Sequence, residues 1–342
     1  MIRSAVAAYP RRSPDNPYCD LLYTHLTQAG VEVIDDAPLS FAWLMQSRHR
    51  VRVLHLHWPE NLYRAGSRQD FRGLAGFTLK LLLARILRYR IVWTVHNLDP
   101  HEFVRGDQLA RWLLLRLAFP VVHGFDAVGL LRGARRTPAV IPHGNYIGAY
   151  PDEMPAAAAR RTLGLPAQGR VILCFGQIRE YKGIDRLLEV FHSIVAPEAT
   201  LVIAGRPRTD EDARALRARA RHLGDSRIRL HLRHVPDDEV QNFFRACDFV
   251  CLPYRSVLTS GAAILALSFA RPLVVPRIGH LCDLEKAGCA VTYDPGDQRG
   301  LGEALEKALS IDPRPLGDRA RSVAEAWRWD RIALQYREVY AA

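Results

Sequence analysis

The sequence predicts an α/β protein made of two doubly wound, parallel-sheet domains, and three observations carry this. Across the second half, apolar runs of strand length at 171–175, 200–204, 227–232, 248–252 and 272–275 alternate with helical spacings near 183–195, 210–222, 237–246 and 261–270. That is the rhythm of parallel strands joined by right-handed crossovers. In the first half, 51–56 (VRVLHL) and 91–95 read as buried strands on either side of a long helical segment. Between the halves, 151–170 is rich in Ala, Pro and Arg and reads as a boundary. The expected division is a first domain over 1–150, a linker over 151–168, a second domain over 169–325, and a C-terminal helix, 326–342, returning to the first domain.

In order along the chain, 2–9 reads as a first strand, followed by a loop over 10–17 rich in Pro, Arg and Asp. Asn16-Pro17-Tyr18 opens a helix that runs to Ala29 and stops at Gly30, and 31–34 is a second strand. The strand at 51–56 ends in His55, His57, Trp58, Pro59 and Glu60, residue types that line the ligand mouth of an open α/β sheet. The strand at 91–95 delivers His96, Asn97, Asp99, His101 and Glu102 in one loop. Stretches 127–131 and 139–141 read as the last strands of this half, with Pro142-His143-Gly144-Asn145 as a turn. A single helix over 313–340, carrying Trp327, Trp329, Tyr336 and Tyr340, closes the chain and is expected to pack on the first domain.

Composition narrows the function. With 342 residues, 49% of them hydrophobic, the chain can build two ordinary cores. No apolar run reaches the roughly 18–20 uncharged residues of a membrane span, and MIRSAVAAYPRR has too short an apolar core for a signal peptide, so a cytoplasmic location is expected. The six cysteines are scattered without a CxxC framework and read as reduced core thiols; Cys247 and Cys251 lack partner ligands for a metal. The net charge of +11 calls for an anionic partner: nucleic acid, a membrane surface or a phosphorylated substrate. Much of it lies among leucines at 64–90 and 111–116, without the Gly and aromatic interleaving of an RNA-binding sheet, so no nucleic-acid partner is expected.

The stretch 171–188, VILCFGQIREYKGIDRLL, organises the second half. A strand turns through Gly176 into a helix, and the loop between carries Arg179 and Lys182. Bare backbone and two cations thus meet at a helix N-terminus, where N–H groups and the helix dipole favour an anion. An ordinary turn with two solvated cations is the alternative. The phosphate reading gains from 252–276, which supplies the other half of a sugar-nucleotide pocket. The loop itself reads as exposed. The helix at 71–88 has a leucine-rich side and a basic side with almost no acids. A core helix with a wet face is the plain alternative to a helix on anionic lipid, and Lys80, Arg85 and Arg88 favour the lipid.

Two doubly wound domains, a linker near the middle, a cation-bearing loop after the first strand of the second domain and a returning C-terminal helix resemble the GT-B glycosyltransferases. Five stretches narrow the resemblance: NPYCDLLY at 16–23, HLHWPENLYR at 55–64, VHNLDPHE at 95–102, FGQIREYKG at 175–183 and LPYRSVLTSGAAILALSFARPLVV at 252–275. Together, and in this order, they resemble the glycolipid β-mannosyltransferases of xanthan-type polysaccharide assembly. The resemblance implies inverting transfer of mannose from GDP-mannose to a polyprenyl-diphosphate-linked oligosaccharide at the inner face of the membrane. Its partners would be a nucleotide sugar, a lipid-linked acceptor and an anionic membrane surface, with no cofactor and no metal. Gly176, Arg179, Lys182, Tyr254, Thr259, Ser260 and Gly261 would bind the donor. Asn16, Tyr18, His57, Trp58, Asn97 and His101 would face the acceptor, with Trp58 stacking on a sugar ring or lying in the core. His96 would hydrogen-bond the donor sugar or a phosphate. Inversion needs a base for the attacking hydroxyl; Glu102 beside His101 is preferred, then Glu60, with Asp99 a third candidate, against the plain reading of a surface carboxylate paired with an arginine. Broad retaining relatives carry two glutamates eight positions apart near this helix, whereas Val257 and Leu265 stand here, which favours inversion. The alternatives are a retaining transferase using a UDP-sugar, an epimerase of the same architecture and a non-catalytic sugar-nucleotide-binding membrane protein.

Overall fold

The structure, a computed structural model, describes residues 5–13, 16–35, 37–65, 68–97, 104 and 106–342. It divides into two compact units, Met1–Gly144 with Trp327–Ala342, and Asn145–Ala326.

The first unit holds β1 (Ala5–Tyr9), β2 (Val33–Ile34), β3 (Val51–Leu56), a small antiparallel pair β4 (Arg64–Ala65) and β5 (Arg68–Gln69), then β6 (Arg90–Thr94), β7 (Phe119–Val122) and β8 (Ala139–Val140). Its main sheet runs β2-β1-β3-β6-β7-β8, all parallel. The order reverses between β1 and β3, so a crevice opens beyond their carboxyl ends, the place where open α/β sheets bind ligands. Helices α1 (Tyr18–Gln28), α2 (Phe41–Ser47), α3 (Phe71–Ile86) and α4 (Gly106–Leu117) cover it. Tyr18, Leu22 and Leu26 repeat at fours along α1 and are fully buried, the apolar stripe that docks this helix on the sheet. The Asp70 carboxylate caps α3 by accepting the Arg72 N–H at 3.0 Å.

Two expectations fail here. Residues 127–131 are not a strand but lie on a 3₁₀ turn, Phe125–Leu130, and its end. The strand before β8 is instead Phe119–Val122, where Pro120 argues against a strand because it has no N–H to donate. The sheet tolerates it because the neighbouring carbonyls still serve: Val121 accepts from the Val95 N–H at 2.8 Å and Val122 from the Ile141 N–H at 2.9 Å.

The second unit holds β9 (Val171–Phe175), β10 (Thr200–Ala204), β11 (Ile228–His231), β12 (Phe249–Cys251), β13 (Leu273–Pro276) and β14 (Ala290–Tyr293), ordered β11-β10-β9-β12-β13-β14 and all parallel. Its switch point lies between β9 and β12. The helices are α5 (Ala156–Thr162), α6 (Ile184–Ser193), α7 (Asp210–Leu223), α8 (Asp237–Ala246), α9 (Gly261–Ser268), α10 (Leu281–Lys286), α11 (Gly300–Ser310) and α12 (Arg314–Ala326). A reciprocal capping box, Thr209 with Asp212, starts α7, and left-handed Gly224 ends it.

The expected single terminal helix is two: α12, and α13 (Trp329–Ala341), which packs on α1 in the first unit. Gly144, at φ +88°, lies against the Trp329 ring so closely that a β-carbon there would stand 2.5 Å from it.

Candidate functional site

At the carboxyl ends of β9 and β12 the second unit gathers Gly176, Lys182, Tyr254 and the first turn of α9. Lys182 ends a 3₁₀ turn, Glu180–Lys182, and left-handed Gly183 then redirects the chain into α6. The loop was expected to be exposed; Lys182 is 6% exposed. Its Nζ lies 6.0 Å from the centre of the Tyr254 ring and 3.0 Å from the place of a β-carbon on Gly176, a point 4.0 Å from the Ala262 β-carbon. Among the described residues the ammonium has neither a hydrogen-bond acceptor nor a carboxylate. Burial, helped by the charge of Arg179, pushes its pKa down to about 8. A buried cation without a counter-ion is costly in an empty protein, and an anionic ligand relieves that cost.

Arg179 is half-buried and donates to the Ile178 carbonyl and to Gln177 Oε1, each at 2.9 Å. The hydroxyl of Ser260, expected to bind the donor, is already engaged within the fold. It is buried, caps α9 by accepting the Ala263 N–H at 3.1 Å, and bonds the Tyr254 hydroxyl at 2.8 Å. Tyr254 is therefore spent on the same internal bond. Thr259 stays half-exposed beside Gly261, the first residue of α9.

The first unit builds its site after β3 and β6. His57, Trp58, Glu60 and Asn97 line one pocket of about 360 Å³ of empty volume, including space open to solvent. Tyr63, Trp93, Asp107 and Arg111 also line it, beside the apolar Pro59, Ala110 and Leu114; none of the first four was expected at a site. Glu60 sits in a 3₁₀ turn, Pro59–Leu62, and burial raises its carboxyl pKa, against a lowering by Arg64. A carboxylate whose pKa is raised is a stronger base than an ordinary one, and a pocket is where such a group can act on a ligand. Asp107 is the wall's anchor: buried, it accepts from the Tyr63 hydroxyl at 2.9 Å, the Val104 N–H at 2.7 Å and the buried Arg64 guanidinium.

Behind the pocket runs a chain of buried imidazoles and hydroxyls. The Tyr340 hydroxyl of α13 reaches His55 Nδ1 at 2.7 Å; the Tyr23 hydroxyl bridges His55 Nδ1 at 2.8 Å and His57 Nε2 at 2.5 Å. His57 Nδ1 then meets His96 Nε2 at 3.1 Å, and Trp58 stacks on His96 with ring centres 4.5 Å apart. Burial holds His55, His57 and His96 neutral, their pKa values well below the usual 6.5. Among the described residues no three His, Cys, Asp or Glu side chains are placed to hold a metal ion.

Tyr18 does not face an acceptor: it is fully buried, its hydroxyl 3.1 Å from that of Tyr336, and its ring supports His96 edge-on. Asn16 is drawn into starting α1, accepting the Tyr18 N–H at 2.9 Å. Asp99, His101 and Glu102 lie outside the described residues. Lys80 is half-buried and Arg85 exposed on α3; Arg88 lies past its end, exposed, at φ +65°. Among the described residues no helix is long and apolar enough to cross a membrane.

The family model described as "Glycosyl transferases group 1" matches residues 169–310. The chain is 32% identical over 273 residues to the GDP-mannose:glycolipid 4-beta-D-mannosyltransferase of Xanthomonas campestris pv. campestris, covering 76% of this chain and 70% of the relative. Among solved structures it is similar to Anabaena Alr3699/HepE in complex with UDP and glucose (TM-score 0.75, 17% identity, 99% of both chains) and to sucrose-phosphate synthase from Thermosynechococcus elongatus (TM-score 0.74, 19% identity, 99% of this chain and 98% of that one). Two parallel six-stranded sheets, the carboxyl-edge sites and these similarities together make the chain a GT-B glycosyltransferase that belongs to the family of the GDP-mannose:glycolipid 4-beta-D-mannosyltransferases.

Proposed function

We propose that the protein transfers mannose from GDP-mannose, with inversion, to a polyprenyl-diphosphate-linked oligosaccharide in exopolysaccharide assembly. The observation that carries the donor half is the buried, unpartnered Lys182 ammonium at the β9/β12 switch point. The donor diphosphate gains negative charge as the sugar–oxygen bond breaks. A cation fixed beside it is worth most in that transition state. Arg179 and the N-terminus of α9 beside Thr259 add positive potential, so turnover persists in EDTA. The choice of mannose and guanine is supported by the name of the Xanthomonas relative.

The acceptor half is supported by the pocket of His57, Trp58, Glu60 and Asn97. In a single displacement, the acceptor hydroxyl oxygen forms the new bond to the mannosyl carbon as the bond to diphosphate breaks. Glu60 takes the hydroxyl proton and GDP carries away the electron pair; Glu102 is the alternative base. Because the acceptor is tied to lipid, the first unit works at an anionic membrane surface, with Phe71, Leu79, Leu82 and Ile86 exposed along α3 beside Arg85.

The experiment is a panel of nucleotide sugars offered with a lipid-linked acceptor, reading donor protection against thermal unfolding and the anomeric configuration of the product. GDP-mannose alone giving protection and a β-linked mannoside is the expected result. A UDP-sugar giving an α-linked product overturns the proposal.

A further inference from the structure

At the opposite edge of the first sheet from the histidines, the amino ends of β6 and β7 border a second pocket, with about 450 Å³ of empty volume including space open to solvent. Four arginines converge on it: Arg85 from the last turn of α3, Arg88 just beyond, Arg90 at the start of β6, and Arg136 from the segment before β8. Phe119, the first residue of β7, forms the floor between two of them, its ring centre 5.5 Å from the Arg90 guanidinium carbon and 6.0 Å from that of Arg136. Among the described residues none of the four arginines has a carboxylate partner; Ala342 lies on the rim without pairing to them. The contacts they do make are few. Arg85 donates to the Tyr89 carbonyl at 3.3 Å, and Arg90 donates to the Tyr340 carbonyl at 3.5 Å while its Nε stays buried without an acceptor. Like charges held together in this way repel, and burial, Arg136 and Arg85 all lower the Arg90 pKa. The arrangement wants an anion with several oxygens, because planar guanidinium forks pair with phosphate two bonds at a time.

What delivers the phosphate is indicated by the neighbouring surface. Leu79, Leu82 and Ile86 follow one another at three and four residues on α3, the last of them one residue from Arg85, and are 56, 40 and 75% exposed. Apolar side chains at acyl depth beside arginines at head-group depth match the layering of a bilayer surface. We propose that the pocket of Arg85, Arg88, Arg90 and Arg136 binds the head-group phosphate of an anionic membrane lipid. This seats the first unit through a defined site and deepens the membrane reading above, on which it rests.

The test is co-sedimentation of the full chain with vesicles of phosphatidylcholine and phosphatidylglycerol in equal parts. Wild type is compared with Arg88→Gln/Arg136→Gln and with a control of equal charge change on α3 outside the pocket, Arg72→Gln/Lys80→Gln. At about fivefold per arginine near the surface, the pocket pair should lose roughly 25-fold in vesicle affinity and the control distinctly less. Inorganic phosphate should release wild type more than sodium chloride of equal ionic strength, and this excess should vanish in the pocket variant. Unchanged thermal unfolding and unchanged protection by GDP show that the variant is folded.

Equal losses in the two variants, or the same phosphate-selective release from both, overturn the pocket and leave the membrane reading standing. Wild type that binds neither vesicles nor inorganic phosphate, or that binds pure phosphatidylcholine as well, overturns both. Calorimetric binding of inorganic phosphate that is lost in the pocket variant, with no vesicle binding at all, overturns the lipid assignment in favour of a soluble phosphate.

Discussion

The Lys182 ammonium lies 3.0 Å from the point where a β-carbon on Gly176 would stand, at a backbone φ of +106°. The glycine thus has two tasks, to make a turn that side-chain-bearing residues rarely adopt and to leave room for the cation. Gly176→Ala should cost about 1–3 kcal/mol in backbone strain. It should also push the flexible amine aside and weaken nucleotide binding roughly tenfold, the worth of one charge-assisted hydrogen bond. Titration with GDP and a thermal melt measure both, and wild-type GDP affinity in the variant would remove the ammonium from the phosphate site.

Lys182 itself separates stability from function. Its folded pKa, about 8, lies below the ordinary lysine value, so the protonated form is disfavoured in the empty fold. The unfolded chain holds the proton more tightly, and stability without ligand therefore rises with pH between about 8 and 10.4, by an amount on the order of 3 kcal/mol from this group. If the ammonium holds the donor diphosphate as proposed, donor binding should move the other way, weakening as pH climbs past about 8. Lys182→Met should leave the empty protein at least as stable while abolishing turnover, and Lys182→Arg should keep the charge and shift the loss of binding to higher pH. A Met variant that melts well below wild type would mean that the amine has a structural partner.

The placement of these residues could be read from residue order, because Gly176, Arg179 and Lys182 fall between an apolar run of strand length and a helical spacing, and the structure puts them between β9 and α6. What cannot be read is enclosure. Lys182 is covered by Tyr254 and the start of α9, some 70 to 80 positions on, so a lysine that looks exposed in one dimension is enclosed in three, while Gln177 and Glu180 of the same loop stay exposed. Ser260 illustrates the competition between local and functional roles: a serine before a helix is a cap first. Tyr18 was legible in principle, since it stands on the buried stripe of α1 with Leu22 and Leu26, and a motif likeness outweighed that periodicity. The pocket walls Tyr63, Asp107 and Arg111 carried no signal because their roles depend on a fold that brings β3, its following turn and α4 together. The break between α12 and α13 has no Gly or Pro to mark it.

The histidine chain predicts acid lability. His55, His57 and His96 are kept neutral by burial, so the unfolded state takes up protons first as pH falls below about 6.5. The contribution of these three groups should be flat between pH 7 and 8, below the rise that Lys182 brings, and stability should fall beneath 6.5 with a slope approaching three protons, about 4 kcal/mol per pH unit. His57→Asn should lower stability at neutral pH by breaking the bonds to Tyr23 and His96 and should also flatten the acid slope by one proton. Denaturant midpoints from pH 7.5 to 5 test this; an unchanged slope in the variant would show that other groups drive the acid transition.

Asp107 offers the last prediction, because it anchors the wall of the pocket beside Glu60, the base of the proposed reaction, and acts on that carboxyl. Asp107→Asn leaves the Arg64 guanidinium, whose side chain is 6% exposed, without its carboxylate, a loss of about 3–5 kcal/mol for a broken buried pair. Pairing Asp107→Asn with Arg64→Met should recover a good part of it, since no uncompensated charge remains. The electrostatic consequence falls on Glu60. Arg64 lowers its carboxyl pKa and Asp107 raises it, both acting within a larger rise from burial. With Asp107 neutral and Arg64 intact, the Glu60 pKa falls, and the acidic limb of the kcat/KM profile should move to lower pH; in the double variant, with both charges gone, the limb should stay nearer its wild-type position. A merely structural defect lowers activity at every pH without moving the limb. If the limb stays fixed in Asp107→Asn while Glu60→Gln is active, the base lies elsewhere, and Glu102 takes the role.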